Sequence, residues 1–184
     1  MSLPIRTVSE KLVYQDPANP WVKLYYDDVV FPTGVAGRYN RIVEGAGNVG
    51  VAVLPYSSSG MGLVSQFRYA IQKAVCEIPR GLGETGDPVG DAERELREET
   101  GLRPLKMVSL GAVYPNSAVL VTRVELFFAQ CGSEPLQAPK NDPREICEFR
   151  WVPLEEVLTS IARGDIEDVF TLASVFRARL RGLI

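Results

Sequence analysis

Short runs rich in β-branched, aromatic and other apolar residues recur along the chain, separated by clusters of Gly, Pro, Asn and Ser. They predict strands over residues 22–30, 39–44, 49–55, 62–69, 73–78, 106–113, 121–131 and 147–152. Helical patterns cover residues 88–100, 154–163 and about 167–181. The first helix has clear ends. Asp87 is a strong N-cap and Pro88 suits the first turn, while Thr100-Gly101 stops the helix with glycine at the left-handed C′ position. Ala92 and Leu96, one turn apart, mark its buried stripe. Strands on both sides of a central helix, with more helices at the end, predict an α/β sandwich. Residues 132–144, with three prolines, read as a long loop.

Chemistry concentrates in Arg94-Glu95-Leu96-Arg97-Glu98-Glu99-Thr100-Gly101-Leu102. Glu95 and Glu99 are i,i+4 and Glu95 and Glu98 are i,i+3, so three carboxylates share one helix face. Like charges about 4 Å apart repel by roughly 4 kcal/mol at an effective dielectric of about 20. A solvated, ion-paired helix is the plainer reading, with Glu93–Arg97 and Arg94–Glu98 as i,i+4 pairs. The Glu95–Glu99 pair has no cation one turn away on its stripe, and a hard divalent ion that takes oxygen ligands fits it better.

Composition narrows the chemistry. The 184 residues suffice for one domain with a substantial core. Net charge is −3 with no basic stripe, which argues against nucleic acid as a partner. No apolar run approaches a membrane span and no signal-peptide pattern opens the chain, so a cytoplasmic location without membrane association is expected. Cys76, Cys131 and Cys147 form no CxxC pair and read as buried free thiols. Histidine is absent, which excludes Ser-His and Cys-His catalysis and leaves base work to carboxylates or metal-bound water.

The segment Glu77-Ile78-Pro79-Arg80-Gly81, the glycine-rich loop after it and the glutamate helix together resemble the Nudix box, G-x5-E-x7-R-E-U-x-E-E-x-G-U. Arg94, Glu95, Leu96, Glu98, Glu99, Gly101 and Leu102 match its second half. The first half departs. Gly86 stands where the box has glutamate and Gly81 is one residue too close, as after a one-residue loop deletion; Glu84 or Asp87 then lies nearest the missing carboxylate. The resemblance implies the Nudix fold, an α/β/α sandwich with a mixed sheet, over residues 47–184, preceded by an antiparallel strand extension over residues 1–46. It implies Mg²⁺ (or Mn²⁺) held by Glu95, Glu98, Glu99 and the Arg80 backbone carbonyl, with Arg94 orienting the glutamates.

Three further segments resemble the ADP-ribose pyrophosphatase branch: Asn19-Pro20-Trp21-Val22-Lys23-Leu24, Val64-Ser65-Gln66-Phe67-Arg68-Tyr69 and Trp151-Val152-Pro153-Leu154. By position, Trp21 corresponds to an aromatic that stacks on adenine, or else is a core or dimer-interface tryptophan. Arg68 corresponds to a phosphate-binding arginine, or else forms a surface ion pair. Glu145 corresponds to the loop carboxylate that activates water, with Glu148 and Glu134 as rivals. The branch's Pro-Gly pair is replaced by Ser117-Ala118; Asn116 falls near the terminal ribose. The resemblance implies a homodimer that exchanges its N-terminal strands and hydrolyses a nucleoside diphosphate derivative such as ADP-ribose or an ADP-sugar. NADH and diadenosine polyphosphates stay open as substrates, and so does a nucleotide sensor with little or no catalysis.

Overall fold

The computed structural model describes residues 4–136, 138 and 148–184. It divides into two compact units, Met1–Asn48 with Tyr114–Arg123, and Val49–Val113 with Val124–Ile184.

In the first unit a long strand β3 (Asn19–Val30) is the spine. Strands β1 (Arg6–Ser9) and β2 (Leu12–Asp16) pair antiparallel with its two halves, and β4 (Ala36–Glu44) pairs along it from Val22↔Glu44 to Val30↔Ala36. The β3–β4 turn needs Gly34 at φ +83°. Buried Asp27 accepts hydrogen bonds from the Lys11 backbone N–H (3.0 Å) and Arg41 Nε (2.9 Å). The Arg41 guanidinium lies 4.1 Å from the centre of the Tyr25 ring. Tyr114–Arg123 joins this unit through Ile42, whose N–H donates to Val119 O and whose carbonyl accepts from Val121 N. Many apolar residues here are exposed, among them Val8, Leu12, Val13, Tyr14 and Trp21.

The second unit is built on a seven-stranded mixed sheet: β5 (Gly50–Ser57), β6 (Gly60–Arg68), β7 (Lys73–Glu77), β8 (Arg80–Leu82), β9 (Pro104–Val113), β10 (Val124–Cys131) and β11 (Glu148–Val152). The path runs β11-β6-β5-β10-β9, in which β5 and β10 are parallel and the other neighbours antiparallel. The β5–β6 hairpin pairs only at its tip, Tyr56↔Met61 and Ser57↔Gly60. Beyond that the two strands part, β6 pairing with β7 and β5 with β8. Ile78-Pro79 makes the transfer between them, with the Pro79 carbonyl accepting from Val53 N at 2.9 Å. That transfer carries Arg80 and Gly81 to the edge of the first helix.

Period-two alternation sorts the sheet into two cores. Ala52, Leu54, Leu126 and Phe128 point into one, closed by α2 (Leu154–Arg163) and α3 (Val169–Leu180). Val51, Val53, Phe127 and Ala129 point into the other, closed by Ala92 and Leu96 of α1 (Pro88–Thr100). The expected α/β/α sandwich with a mixed sheet is therefore present.

Several boundaries differ from expectation. The apolar pattern does not place β1 and β2 within the strand extension expected over residues 1–46, nor β8; the first two are short and largely exposed, and the third sits in a glycine-rich stretch with little apolar signal. The strand expected from residue 121 begins at Val124, because residues 119–121 bond to Ile42. The helix expected from residue 167 begins at Val169, because the Asp168 side chain caps it by accepting from Thr171 N at 2.8 Å. Cys131 is buried and Cys76 half-buried, both free; Cys147 lies outside the described residues. Among the described residues no helix is long and apolar enough to cross a membrane.

Candidate active site

Helix α1 presents its carboxylates because its ends and its buried face are fixed. Asp87 caps it by accepting from Val89 N at 3.1 Å, and Gly101 ends it at φ 73°. With Ala92 and Leu96 fully buried, Glu95 and Glu99 must turn toward β8. A Cβ built on Gly81 would lie 2.1 Å from Glu95 Oε1, so a side chain there would displace this carboxylate.

Arg94 pairs with Glu95 as well as with Glu98, and the first of these contacts is not in the helix pattern. Its Nη1 lies 2.9 Å from Glu95 Oε1 and 3.3 Å from Glu98 Oε2, the latter being the expected i,i+4 pair. Its Nη2 donates to the Leu82 carbonyl at 2.9 Å and lies 3.8 Å from Glu84 and 3.6 Å from Asp91. The absence of a one-turn cation thus left out the adjacent arginine, which folds back over the stripe. Of the two residues flanking the missing box carboxylate, Glu84 lies 3.8 Å from Arg94 Nη2 and Asp87 caps the helix.

Glu99 has the least compensation. Its Oε2 is buried and has no hydrogen-bond partner among the described residues. Burial, then Glu95 and Glu77, push its pKa up to about 8, against the pull of Arg68 and a hydrogen bond from the Arg80 backbone N–H. Burial likewise raises Glu95, with Arg94 opposing.

Two residues escaped the sequence reading. Asp91 is 1% exposed, and its Oδ2 accepts from Thr85 N at 3.3 Å, closing the loop onto the helix. Its signal was available, since residues 91, 95 and 99 form an i, i+4, i+8 stripe. Glu77, also 1% exposed, is gripped by Arg68 and, at 3.4 Å, by Arg80 Nη2. Only its position between two arginines in sequence hinted at this.

Of the residues singled out by sequence, Arg68, Arg80, Arg94, Glu95, Glu98 and Glu99 all lie in the second unit, linked through β8 and Glu77. Trp21 and Asn116 lie in the first unit, Trp21 being 57% exposed on β3. Arg68 is in an ion pair, with a buried partner instead of a surface one. Glu134 and Glu148 are exposed, and Glu145 lies outside the described residues.

Among the described residues no three His, Cys, Asp or Glu side chains are already arranged to hold a metal ion. Arg94 engages Glu95 and Glu98 instead. The donor chemistry nonetheless fits a hard divalent ion, being made only of oxygens, one of them buried without a partner, in carboxylates whose charges oppose each other.

A strand-loop-helix unit with these glutamates, seated in this mixed-sheet sandwich, defines the class. The chain belongs to the Nudix family: the NUDIX domain model matches residues 47–171. It is 30% identical over 182 residues to the ADP-ribose pyrophosphatase of Bacillus subtilis (strain 168), covering 98% of this chain and 95% of that protein. It is 32% identical over 155 residues to the methanol dehydrogenase activator of Bacillus methanolicus, covering 84% and 83%. The crystal structure of an ADP compounds hydrolase superposes with a TM-score of 0.84 at 18% identity, covering 100% of this chain and 97% of that one, a likeness of fold. The protein is thus a Nudix hydrolase related to ADP-ribose pyrophosphatase, of a family that generally uses divalent metal ions.

Proposed function

We propose that the protein hydrolyses the pyrophosphate bond of nucleoside diphosphate derivatives, ADP-ribose or an ADP-sugar foremost, to AMP and a sugar phosphate, as a cytoplasmic homodimer. The observation that carries this reading is Glu99, a buried carboxylate whose Oε2 has no partner among the described residues, repelled by Glu95 beside the Arg80–Gly81 backbone. Mg²⁺ (or Mn²⁺) held by Glu95, Glu98, Glu99 and the Arg80 carbonyl would neutralise the diphosphate and acidify the attacking water.

The chain's own groups do the rest. Arg94 orients Glu95 and Glu98 by pairing with both. Arg68 offers a guanidinium fork to phosphate oxygens. Trp21 offers an exposed π-face to the base and Asn116 a polar group to the distal ribose. Glu145, by its place in the sequence, or Glu98 takes the proton from water. The exposed apolar residues of the first unit support dimerisation through residues 1–46.

Product analysis tests the reading. AMP is expected from ADP-ribose with Mg²⁺, and Glu99→Gln is expected to lower kcat about 100-fold while leaving KM nearly intact. Near wild-type turnover by Glu99→Gln would refute the assignment. A panel including NADH and diadenosine triphosphate addresses the Ser117-Ala118 departure. The Gly86 departure from the box favours a second reading, a sensor, which predicts metal-dependent ADP-ribose binding with no turnover.

A further inference from the structure

We propose that Arg80 joins Arg68 in a two-arginine clamp for the diphosphate, and that the buried carboxylate of Glu77 is the positioning residue that holds both forks. This rests on the diphosphate-hydrolysis reading and adds to it a second phosphate-binding side chain and its support.

Glu77 has 2% of its side chain exposed, yet it serves two guanidinium groups. Its Oε1 accepts from Arg68 Nη2 and its Oε2 from Arg80 Nη2 at 3.4 Å. One arginine suffices to neutralise one buried carboxylate, and a second adds a like charge beside the first. Each fork has five N–H donors, of which Glu77 takes one from each. Arg68 Nε and Arg80 Nε are buried and, among the described residues, have no hydrogen-bond acceptor. Asp168 Oδ1, at 3.9 Å from Arg80 Nε, is too far for a hydrogen bond and is already committed to the α3 cap through its other oxygen.

Both arginine side chains remain 29% exposed, so their anchored sides are buried while part of each fork reaches solvent. The Arg80 fork is further held with its central carbon 5.0 Å from the Phe170 ring centre. The clamp adjoins the glutamate cluster through Arg68 and Glu77, whose charges both act on Glu99. Two fixed forks with donors to spare, next to carboxylates suited to a divalent ion, match a diphosphate with its several anionic oxygens.

Calorimetry with ADP and with adenosine, in EDTA, tests the clamp in the intact protein. Arg80→Met keeps bulk and leaves Glu77 its Arg68 partner. It should weaken ADP about tenfold and change adenosine by less than about twofold. Glu77→Gln should also weaken ADP although both arginines remain. In steady state, Arg80→Met should raise KM for the cleaved diphosphate more than it lowers kcat, the mark of lost binding. If Glu77→Gln shows no cooperative unfolding, Arg80→Met alone carries the test. Unchanged ADP affinity in folded Arg80→Met, equal weakening of ADP and adenosine, or no ADP binding by the wild type would each overturn the clamp. Arg80-dependent ADP binding in a protein that cleaves no diphosphate would retain the clamp and refute the hydrolase reading.

Discussion

At the scale of single residues, close approach decides what is tolerated. Gly81 adjoins Glu95 so tightly that any Cβ must displace the carboxylate. Gly81→Ala is therefore expected to lower kcat strongly with little change in melting temperature, measured by turnover and thermal unfolding on the same sample. Leu96, fully buried between α1 and the sheet, belongs to packing alone. Leu96→Ala should cost about 2–5 kcal/mol in a urea titration. Cys131 shows burial acting on chemistry: its thiol is pushed up to about 11. A folded pKa above the unfolded value of 9.0 favours the fold below pH 9 and loses that contribution as pH rises toward 11. Cys131 should resist alkylation at pH 8 in the native protein and react once urea unfolds it, as mass spectrometry of the modified peptide would show.

At the scale of elements, legibility followed the strength of local signals. Helix α1 was readable to the residue because a capping aspartate, a first-turn proline and a terminal glycine bracket an apolar stripe. The glutamates could be read from the same periodicity. Strand β8 could not, because its existence depends on β5 and β6 parting and on Pro79 bonding to Val53, contacts that no local pattern encodes. Glu77 was missed for the same reason: Arg68 and Arg80 meet on it only after β6, β7 and β8 have assembled. The folding-back of Arg94 onto Glu95 is a side-chain choice that spacing rules for helices do not cover. Removing the α1 cap tests the element directly. Asp87→Ala should cost about 1 kcal/mol in stability and leave the fold intact.

At the scale of the molecule, the first unit is tied by polar contacts. Burial alone would raise the pKa of Asp27, but hydrogen bonds from Arg41 and the Lys11 backbone, with the Arg41 charge, hold it below 3.8. A depressed carboxylate stabilises the fold above its unfolded pKa and stops doing so as pH falls through the folded value. Asp27→Asn should thus flatten the loss of stability below pH 4, followed by circular dichroism. The exposed apolar residues of the same unit lead to an oligomer prediction. Light scattering should give twice the chain mass, and Val13→Lys on β2 should shift it toward the monomer.

The segment Tyr114–Arg123 leaves the second unit between β9 and β10, bonds to Ile42, and returns. Its path makes the two units inseparable by a single cut. A protease that nicks the chain at residue 48 frees no independent fragment, since residues 114–123 still bond to β4. An expression clone of residues 49–184 inherits a ten-residue stretch stripped of its pairing strand. Gene fusion at residue 48 would likewise transplant an incomplete module, so these units are constrained to be inherited together, with the excursion at 114–123 acting as the stitch.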